Sequence, residues 1–429
     1  MTTEPAAAVA AVFRIEFPKL VAHAARILGD LEGAEECAQD AFVQALETWP
    51  TSGTPANPPG WLMTVCHRRA VDRVRRRRTL ESRYPKLAEP PAQEDPLGWV
   101  DDRVDDAIED DRLRLIFVAC SPVLGPDARA ALTLRMVGGL TTAEIARAYL
   151  QPEPTVAQRI VRAKRRIAGA GVAFEVPPEP ERQERLRSVL EVIYLIFNEG
   201  YTATAGAEWF RIDLCAEALR LSRTLAALMP DEAEAHGLQA LLEIQSSRLG
   251  ARRGPAGEPI LLLEQDRGRW DQLLIRRGLA ALAEADRRRP HRGVYALQAA
   301  IAACHARAFR PEDTDWAEIV SLYGALQAEA PSPVVELNRA VAVSMADGPQ
   351  AGLVVVDTLR ASGALEDYHL FHSVRGDLLE RLARTDEAAS EFELAADLSR
   401  NERERSLLRD RAARNRATTV PGAPPESRI

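Results

Sequence analysis

Between residues 79 and 111 the chain carries eleven acidic side chains, three basic ones and four prolines, with little apolar content between them. A stretch of this kind cannot bury enough apolar surface to offset the conformational entropy lost on folding, so it reads as a linker. The 429 residues must then fold as separate pieces, and their number alone asks for more than one core. A second break stands at Val176-Pro177-Pro178-Glu179-Pro180, where an apolar helix ends and prolines block its continuation. The expected organisation is a first module over 8–78, the acidic linker over 79–111, a second module over 112–171, a long extension over 180–415 and a disordered end over 416–429.

Alanine, leucine and arginine dominate and aromatic residues make up only 5% of the chain, which favours helix over sheet. The expected fold class is all-α. Five cysteines at 37, 66, 120, 215 and 304 form no CxxC pair and have no histidine at metal-ligand spacing; they read as reduced core residues of a cytoplasmic protein. No run approaches the length of apolar residues that a membrane span needs, and Glu4 and Glu16 stand where an export signal would carry a basic region. No membrane association is expected.

The net charge of -8 argues against nucleic acid until it is divided along the chain. Residues 1–174 hold 23 basic and 23 acidic groups, and the remainder 32 and 40, so the whole excess of negative charge lies in the extension. Residues 61–78 hold seven arginines against one aspartate, and residues 154–167 hold five basic groups and no acid. These are two separate patches able to neutralise phosphates.

In the first module, the segment Gly33 to Trp49 places Ala38, Phe42, Ala45 and Trp49 on one helical stripe and Glu36, Gln39, Asp40 and Glu47 on the opposite one. A loop over Pro50–Gly60 precedes a helix that opens at Trp61-Leu-Met-Thr-Val and runs into His67-Arg-Arg-Ala-Val-Asp-Arg-Val-Arg-Arg-Arg-Arg78. Leu62, Val65, Ala70 or Arg69, and Val74 would pack inward while the arginines project outward. Such a helix gives salt-dependent, sequence-blind phosphate binding; it is equally the pattern of a solvated helix end, as Trp49 and Trp61 are equally core aromatics. In the second module, a supporting helix over 130–140 ends at paired glycines, and Thr141 with Glu144 is spaced for a capping box. A short turn then leads to Pro154-Thr-Val-Ala-Gln-Arg-Ile-Val-Arg-Ala-Lys-Arg-Arg-Ile167. This is a helix-turn-helix pattern, with a plain helical hairpin as the alternative. The N-terminal residues of its second helix would reach base edges, with Gln158, Arg159 and Arg162 as the base-reading candidates, while Lys164, Arg165 and Arg166 hold the backbone.

The string from Glu35 to Trp49, followed by Trp61-Leu to Asp72-Arg-Val-Arg-Arg, resembles region two of the extracytoplasmic-function RNA polymerase sigma factors, and Leu132–Ile167 resembles their region four. Together the two stretches cover residues 8–171, with order, spacing and acidic linker as in that family. The resemblance implies a region-two helical bundle and a region-four helix-turn-helix domain. It implies core RNA polymerase as partner, through its beta-prime clamp and beta flap, and promoter DNA, with no enzymatic activity and no cofactor. Carried over by position, it makes Glu36, Gln39 and Asp40 polymerase-facing. It makes the Pro50–Gly60 loop the place where a flipped minus-ten base is captured. Trp61, Arg68, Arg69, Arg73, Arg75 and Arg76 become the path of the opened strand, and Thr155, Gln158, Arg159, Arg162, Lys164 and Arg165 the contacts to the minus-thirty-five element. Many members have asparagine where this chain has Arg68.

The extension shows a weak internal repeat: Leu337 to Leu353 aligns with Val374 to Ala389, and Arg339 and Arg375 are 36 residues apart. That period suits a helix-turn-helix solenoid of the tetratricopeptide kind, whose stacked pairs leave a concave groove suited to a protein partner. The strings Tyr194 to Ala203, Asp266-Arg-Gly-Arg-Trp-Asp271 and Asp315-Trp316 resemble the sigma-factor group with a C-terminal tetratricopeptide-like extension, which implies that the extension modulates activity. Asn198 to Tyr201 is equally a helix end with a glycine stop. His369 and His372 share a helix face with no third ligand in view, and read as buried or capping histidines.

Overall fold

The computed structural model describes residues 4–81, 103–149, 151–179, 181–201, 211–254, 260–363, 365–399 and 402–419. Most of the expected linker, and residues 420–429 of the expected disordered end, lie outside the described residues. All long elements among the described residues are α-helices, and the chain forms two compact units, Met1–Ile196 and Phe197–Ile429.

In the first unit, helices α1 (Glu4–Leu28), α2 (Leu31–Ser52) and α3 (Pro58–Glu81) form a bundle. Gly29, at a φ of 72°, lets the chain turn sharply between α1 and α2, and Asp30 caps α2 by accepting from the Gly33 amide at 2.6 Å. The core is the stripe the pattern called for: Ala38, Phe42, Ala45 and Trp49 from α2 are buried, and they meet Phe17, Leu20 and Val21 of α1 and Leu62, Val65, Cys66 and Ala70 of α3. Val74, expected inside, is only partly covered, because by that turn α3 is extending past the bundle.

Helix α4 (Arg103–Ala119) packs on α1, and α5 (Pro126–Met136), α6 (Thr142–Ala148) and α7 (Glu153–Gly169) follow. Every residue of α5 from Ala130 to Met136 is buried, and α7 buries Val156, Ile160, Ala163 and Ile167 at the 4-3-4 spacing of one helical stripe. Thr141 and Glu144 form the capping box, each side chain bonding to the other's backbone amide. The chain reaches α8 (Glu181–Tyr201) through the proline cluster, yet the boundary between units lies inside α8, not at those prolines. The prolines stop a helix without preventing the next one from docking: Leu186, Val189, Leu190 and Ile193 are buried, and Ser188 Oγ donates to the Cys120 carbonyl at 2.6 Å.

The second unit continues through α9 (Ile212–Leu228), α10 (Ala233–Ser247), α11 (Gln272–Arg288), α12 (Val294–Arg307), α13 (Trp316–Glu329), α14 (Pro333–Ala346), α15 (Pro349–Ala361), α16 (His369–Arg381), α17 (Thr385–Leu398) and α18 (Glu402–Thr419). Helix α12 packs chiefly on α10, and from α13 onward each helix packs mainly on its chain neighbours, the packing order of a helical-repeat solenoid. The 36-residue spacing is realised in the elements: α16 begins 36 residues after α14, and α17 begins 36 residues after α15. Small residues allow the close crossings. A Cβ on Gly376 would stand 2.8 to 3.1 Å from three ring atoms of the fully buried Phe392. Two of the strings singled out in the extension, Asp266–Asp271 and Asp315–Trp316, supply helix caps and buried contacts; residues 202 and 203 of the Tyr194 to Ala203 string lie outside the described residues. Asp271 and Asp315 cap α11 and α13, and Trp270 is buried. The Arg267 guanidinium donates to the carbonyls of His305 and Ala308, both at 2.9 Å, and to Thr314 Oγ1. His372 bridges the Glu391 carboxylate and the Glu366 carbonyl, and His369 lies 3.3 Å from Glu404.

Candidate nucleic-acid interface

Helix α3 is amphipathic in charge as much as in polarity. With Leu62, Val65, Cys66 and Ala70 turned into the bundle, Arg68, Arg69, Arg73, Arg75 and Arg76 are all exposed, and Arg77 and Arg78 extend the same cationic surface. They are not equivalent. Arg73 pairs with Glu36 of α2, which raises its pKa further, and Arg69 Nη2 reaches Gln44 Oε1 only at 3.5 Å. Arg68, Arg75 and Arg76 stand clear of α2. Trp61 is half-buried at the start of α3, edge-on to the buried Trp49 with ring centroids 5.6 Å apart, so one part of its ring is structural and the other faces out. The expected Pro50–Gly60 loop is shorter than its composition suggested, because α2 runs to Ser52 and α3 starts at Pro58. Asn57 accepts from the Gly60 amide at 3.1 Å and starts α3 there.

Behind this surface, His23 of α1 and His67 of α3 touch through ring nitrogens 3.0 Å apart. Burial, then the nearby Arg26 charge and then His67, push the His23 pKa down to about 4, and burial lowers that of His67 as well. Burial thus disfavours the charged form of both rings.

Helix α7 has the second cationic surface. Opposite its buried stripe, Thr155, Gln158, Arg162 and Arg165 are exposed at the 3-4-3 spacing of one helical face, with Arg159 partly covered beside them. Lys164 departs from that group: it is turned inward and its ammonium lies 2.9 Å from Glu35 of α2.

The exposed face of α2 carries Glu36, Gln39 and Asp40, as the pattern required, and it continues into Val43 and Leu46, which are 51% and 46% exposed. These two apolar residues were not among the sequence candidates. Their signal was nevertheless present, since positions 36, 39, 40, 43, 46 and 47 fall on one helical stripe. The exposed face of α2 thus combines acidic and polar side chains with two uncovered apolar ones.

Comparison with known proteins assigns the modules. Residues 12–79 match the family model "Sigma-70 region 2" and residues 114–167 match "Sigma-70, region 4". Residues 185–286 match a family of unknown function, DUF6596. The chain is 46% identical over 399 residues to an uncharacterized protein of Rhizobium meliloti (strain 1021), covering 91% of this chain and 92% of that one. It is 34% identical over 143 residues to the ECF RNA polymerase sigma factor SigK of Mycobacterium ulcerans (strain Agy99), covering 32% of this chain and 71% of that one. It is 29% identical over 174 residues to the probable ECF RNA polymerase sigma factor SigI of Mycobacterium tuberculosis (strain ATCC 25618 / H37Rv), covering 41% and 59%. Among solved structures, yeast Tom70 aligns over 94% of this chain and 82% of that one at a TM-score of 0.32 and 10% identity, a likeness too low to argue from. The repeat character of the second unit rests on its own packing order and period.

Proposed function

Because the chain belongs to the extracytoplasmic-function family of RNA polymerase sigma factors, we propose how its surfaces divide the work of starting transcription. The stripe Glu36, Gln39, Asp40, Val43 and Leu46 of α2 docks on core polymerase at the beta-prime clamp. The exposed arginines of α3, with Trp61 at their head, take the opened strand of the minus-ten region, since a single strand needs a positive groove and a stacking surface. The exposed face of α7, Thr155, Gln158, Arg162 and Arg165, with the partly covered Arg159 beside it, reads the minus-thirty-five duplex in the major groove, with the polymerase beta flap supporting this module. The observation that carries this reading is the occurrence of two cationic helix faces, each backed by its own buried stripe, one in each of the two sigma-type modules.

The described residues include no helix long and apolar enough to cross a membrane. We place the chain's action in the cytoplasm, with the polymerase. The second unit modulates the first through a protein held in its solenoid groove.

Substituting Val43→Asp and Leu46→Asp in the full chain tests the docking surface. Both side chains are exposed, so the melting temperature should hold while association with core polymerase falls at least tenfold in a competition with a second sigma factor. Unchanged association would remove α2 from the interface. Modulation by the extension is tested by truncating after Tyr201, which keeps the buried face of α8. A truncated chain that gives the full-length level of promoter output would end that part of the proposal.

A further inference from the structure

Within the second unit, the three strings that stand out in the extension's sequence converge on one place. Tyr201, from the first, accepts through its carbonyl from Arg252 Nη1 at 2.7 Å, and its ring lies 3.9 Å from the same guanidinium. The Tyr201 hydroxyl donates to Gln245 Oε1 at 2.8 Å, and Arg248 Nη1 reaches that oxygen at 3.3 Å. Arg248 lies 5.4 Å from the Trp270 ring of the second string, and Arg267 of the same string lies 5.3 Å from it. Arg267 in turn holds Thr314 and the His305 carbonyl, and the His305 ring packs edge-on to Trp316 of the third string.

The acids of these strings are engaged elsewhere. Glu199 pairs with Arg211, Asp266 accepts from the Gly268 amide, Asp271 from those of Leu273 and Leu274, and Asp315 from that of Glu318. Among the described residues, the hydrogen-bond partners of Arg248 and Arg267 are an amide oxygen, two carbonyls and a hydroxyl, with no carboxylate. Arg248 Nε, Arg267 Nε, Trp270 Nε1 and His305 Nδ1 are buried without a hydrogen-bond partner, and Arg267, Trp270 and His305 are only 7%, 3% and 8% exposed. Burial lowers the pKa of both arginines, and neighbouring cations add to it, Arg252 for Arg248 and Arg248 for Arg267. Burial, then Arg248 and then Arg267, push that of His305 down to about 4.

Cations taken out of water without a counter-charge are costly, and the guanidinium fork matches an oxyanion. A carboxylate has oxygens enough for one fork, whereas a phosphoryl group presents three oxygens and about two charges, enough for a pair. We propose that Arg248 and Arg267, with the Trp270 ring against both and Arg252 beside Arg248, form a binding site for a phosphoryl group, as the free ion or on a small ester. Arg248 is only partly buried and is the side of entry; its long contact to Gln245 is the one given up. Arg267, anchored by Thr314 and two carbonyls, is the fixed wall. The site does not rest on the polymerase and DNA surfaces proposed above.

The test uses the full chain at constant ionic strength, with inorganic phosphate, glycerol 3-phosphate and acetate as probes. A pulse of phenylglyoxal, which modifies arginine, followed by mass spectrometry reads each arginine separately. At a probe concentration ten times its dissociation constant, either phosphate probe should slow modification of Arg248 by about tenfold, while the exposed Arg277 of α11 keeps its rate. Stronger protection by the ester assigns the site to a phosphate ester, and stronger protection by phosphate assigns it to the free ion. Equal protection by acetate overturns the proposal, as does none from either phosphate probe. Calorimetry adds a second reading: Arg248→Met removes an uncompensated charge, so it should abolish the heat of phosphate binding and hold its melting temperature in phosphate-free buffer. A heat that survives Arg248→Met overturns the site, and so does one abolished by Arg75→Gln with Arg76→Gln on α3.

Discussion

Arg162→Ala separates base reading from phosphate gripping on α7. Arg162 is exposed on the face opposite Val156, Ile160, Ala163 and Ile167, so truncating it leaves the buried stripe intact, and folding stability should change by no more than about 0.5 kcal/mol. Its place on the Thr155–Gln158–Arg162–Arg165 stripe points it outward with the residues that a recognition helix offers to base edges. A bidentate arginine contact to a guanine edge discriminates against other bases by about 1 to 3 kcal/mol, about 5- to 150-fold in affinity. The assay is selection of upstream duplexes from a randomised pool by the polymerase complex, with parent and variant chains in parallel. The variant should relax preference at one base-pair position by that factor and leave the salt slope nearly unchanged. A uniform loss over all sequences, with the slope shallower by about 0.9, would show that Arg162 grips a phosphate, and would refute the assignment of this stripe to base reading.

Other expectations test the architecture around the two surfaces. Thr141→Ala removes one side of the capping box and should cost about 1 kcal/mol in thermal or urea unfolding, while Thr141→Ser should keep most of it. Gly376→Ala in α16 drives a methyl into the Phe392 ring and should destabilise the extension by about 1 to 3 kcal/mol. Gly324→Ala in α13, where nothing lies within 4 Å, should be neutral or stabilising by up to about 1 kcal/mol. The His23–His67 contact predicts acid sensitivity. With the folded pKa of His23 near 4, the unfolded chain takes up the proton first, so the contribution is fully present above about pH 6.5 and is lost as pH falls towards 4. By pH 5 the parent should have lost about 2 kcal/mol more stability, relative to pH 7.5, than His23→Gln; parallel pH profiles of the two proteins would contradict the lowered pKa of His23.

The parts of this molecule that were legible in the sequence are those whose physics is local. The stripe of Ala38, Phe42, Ala45 and Trp49, the Thr141–Glu144 capping box and the arginine faces of α3 and α7 each repeat within one or two helical turns, and the 36-residue spacing of Arg339 and Arg375 marks the hairpins that α14 to α17 form. What escaped was set by contacts between distant segments. The proline cluster at 177–180 marks the end of a helix, but the docking of Leu186 and Leu190 of α8 carries the first unit beyond it. Lys164 sits in a run of cations that reads as one surface; only its pairing with Glu35, 129 residues away, sets it apart from Arg162 and Arg165. Arg73 is likewise distinguished from its neighbours by its pairing with Glu36, 37 positions earlier. Val43 and Leu46 were passed over for a different reason, since apolar residues in a helix are ordinarily taken for core.

The most direct measurement is start-site mapping in a purified system. Core RNA polymerase, the full chain and a library of genomic DNA fragments are combined, and the 5′ ends of the transcripts are sequenced. The sigma-factor mechanism predicts a defined set of starts absent with core enzyme alone, sharing one upstream duplex motif and one motif near the start, and reduced together by Val43→Asp with Leu46→Asp. A start pattern identical with and without the chain would contradict it.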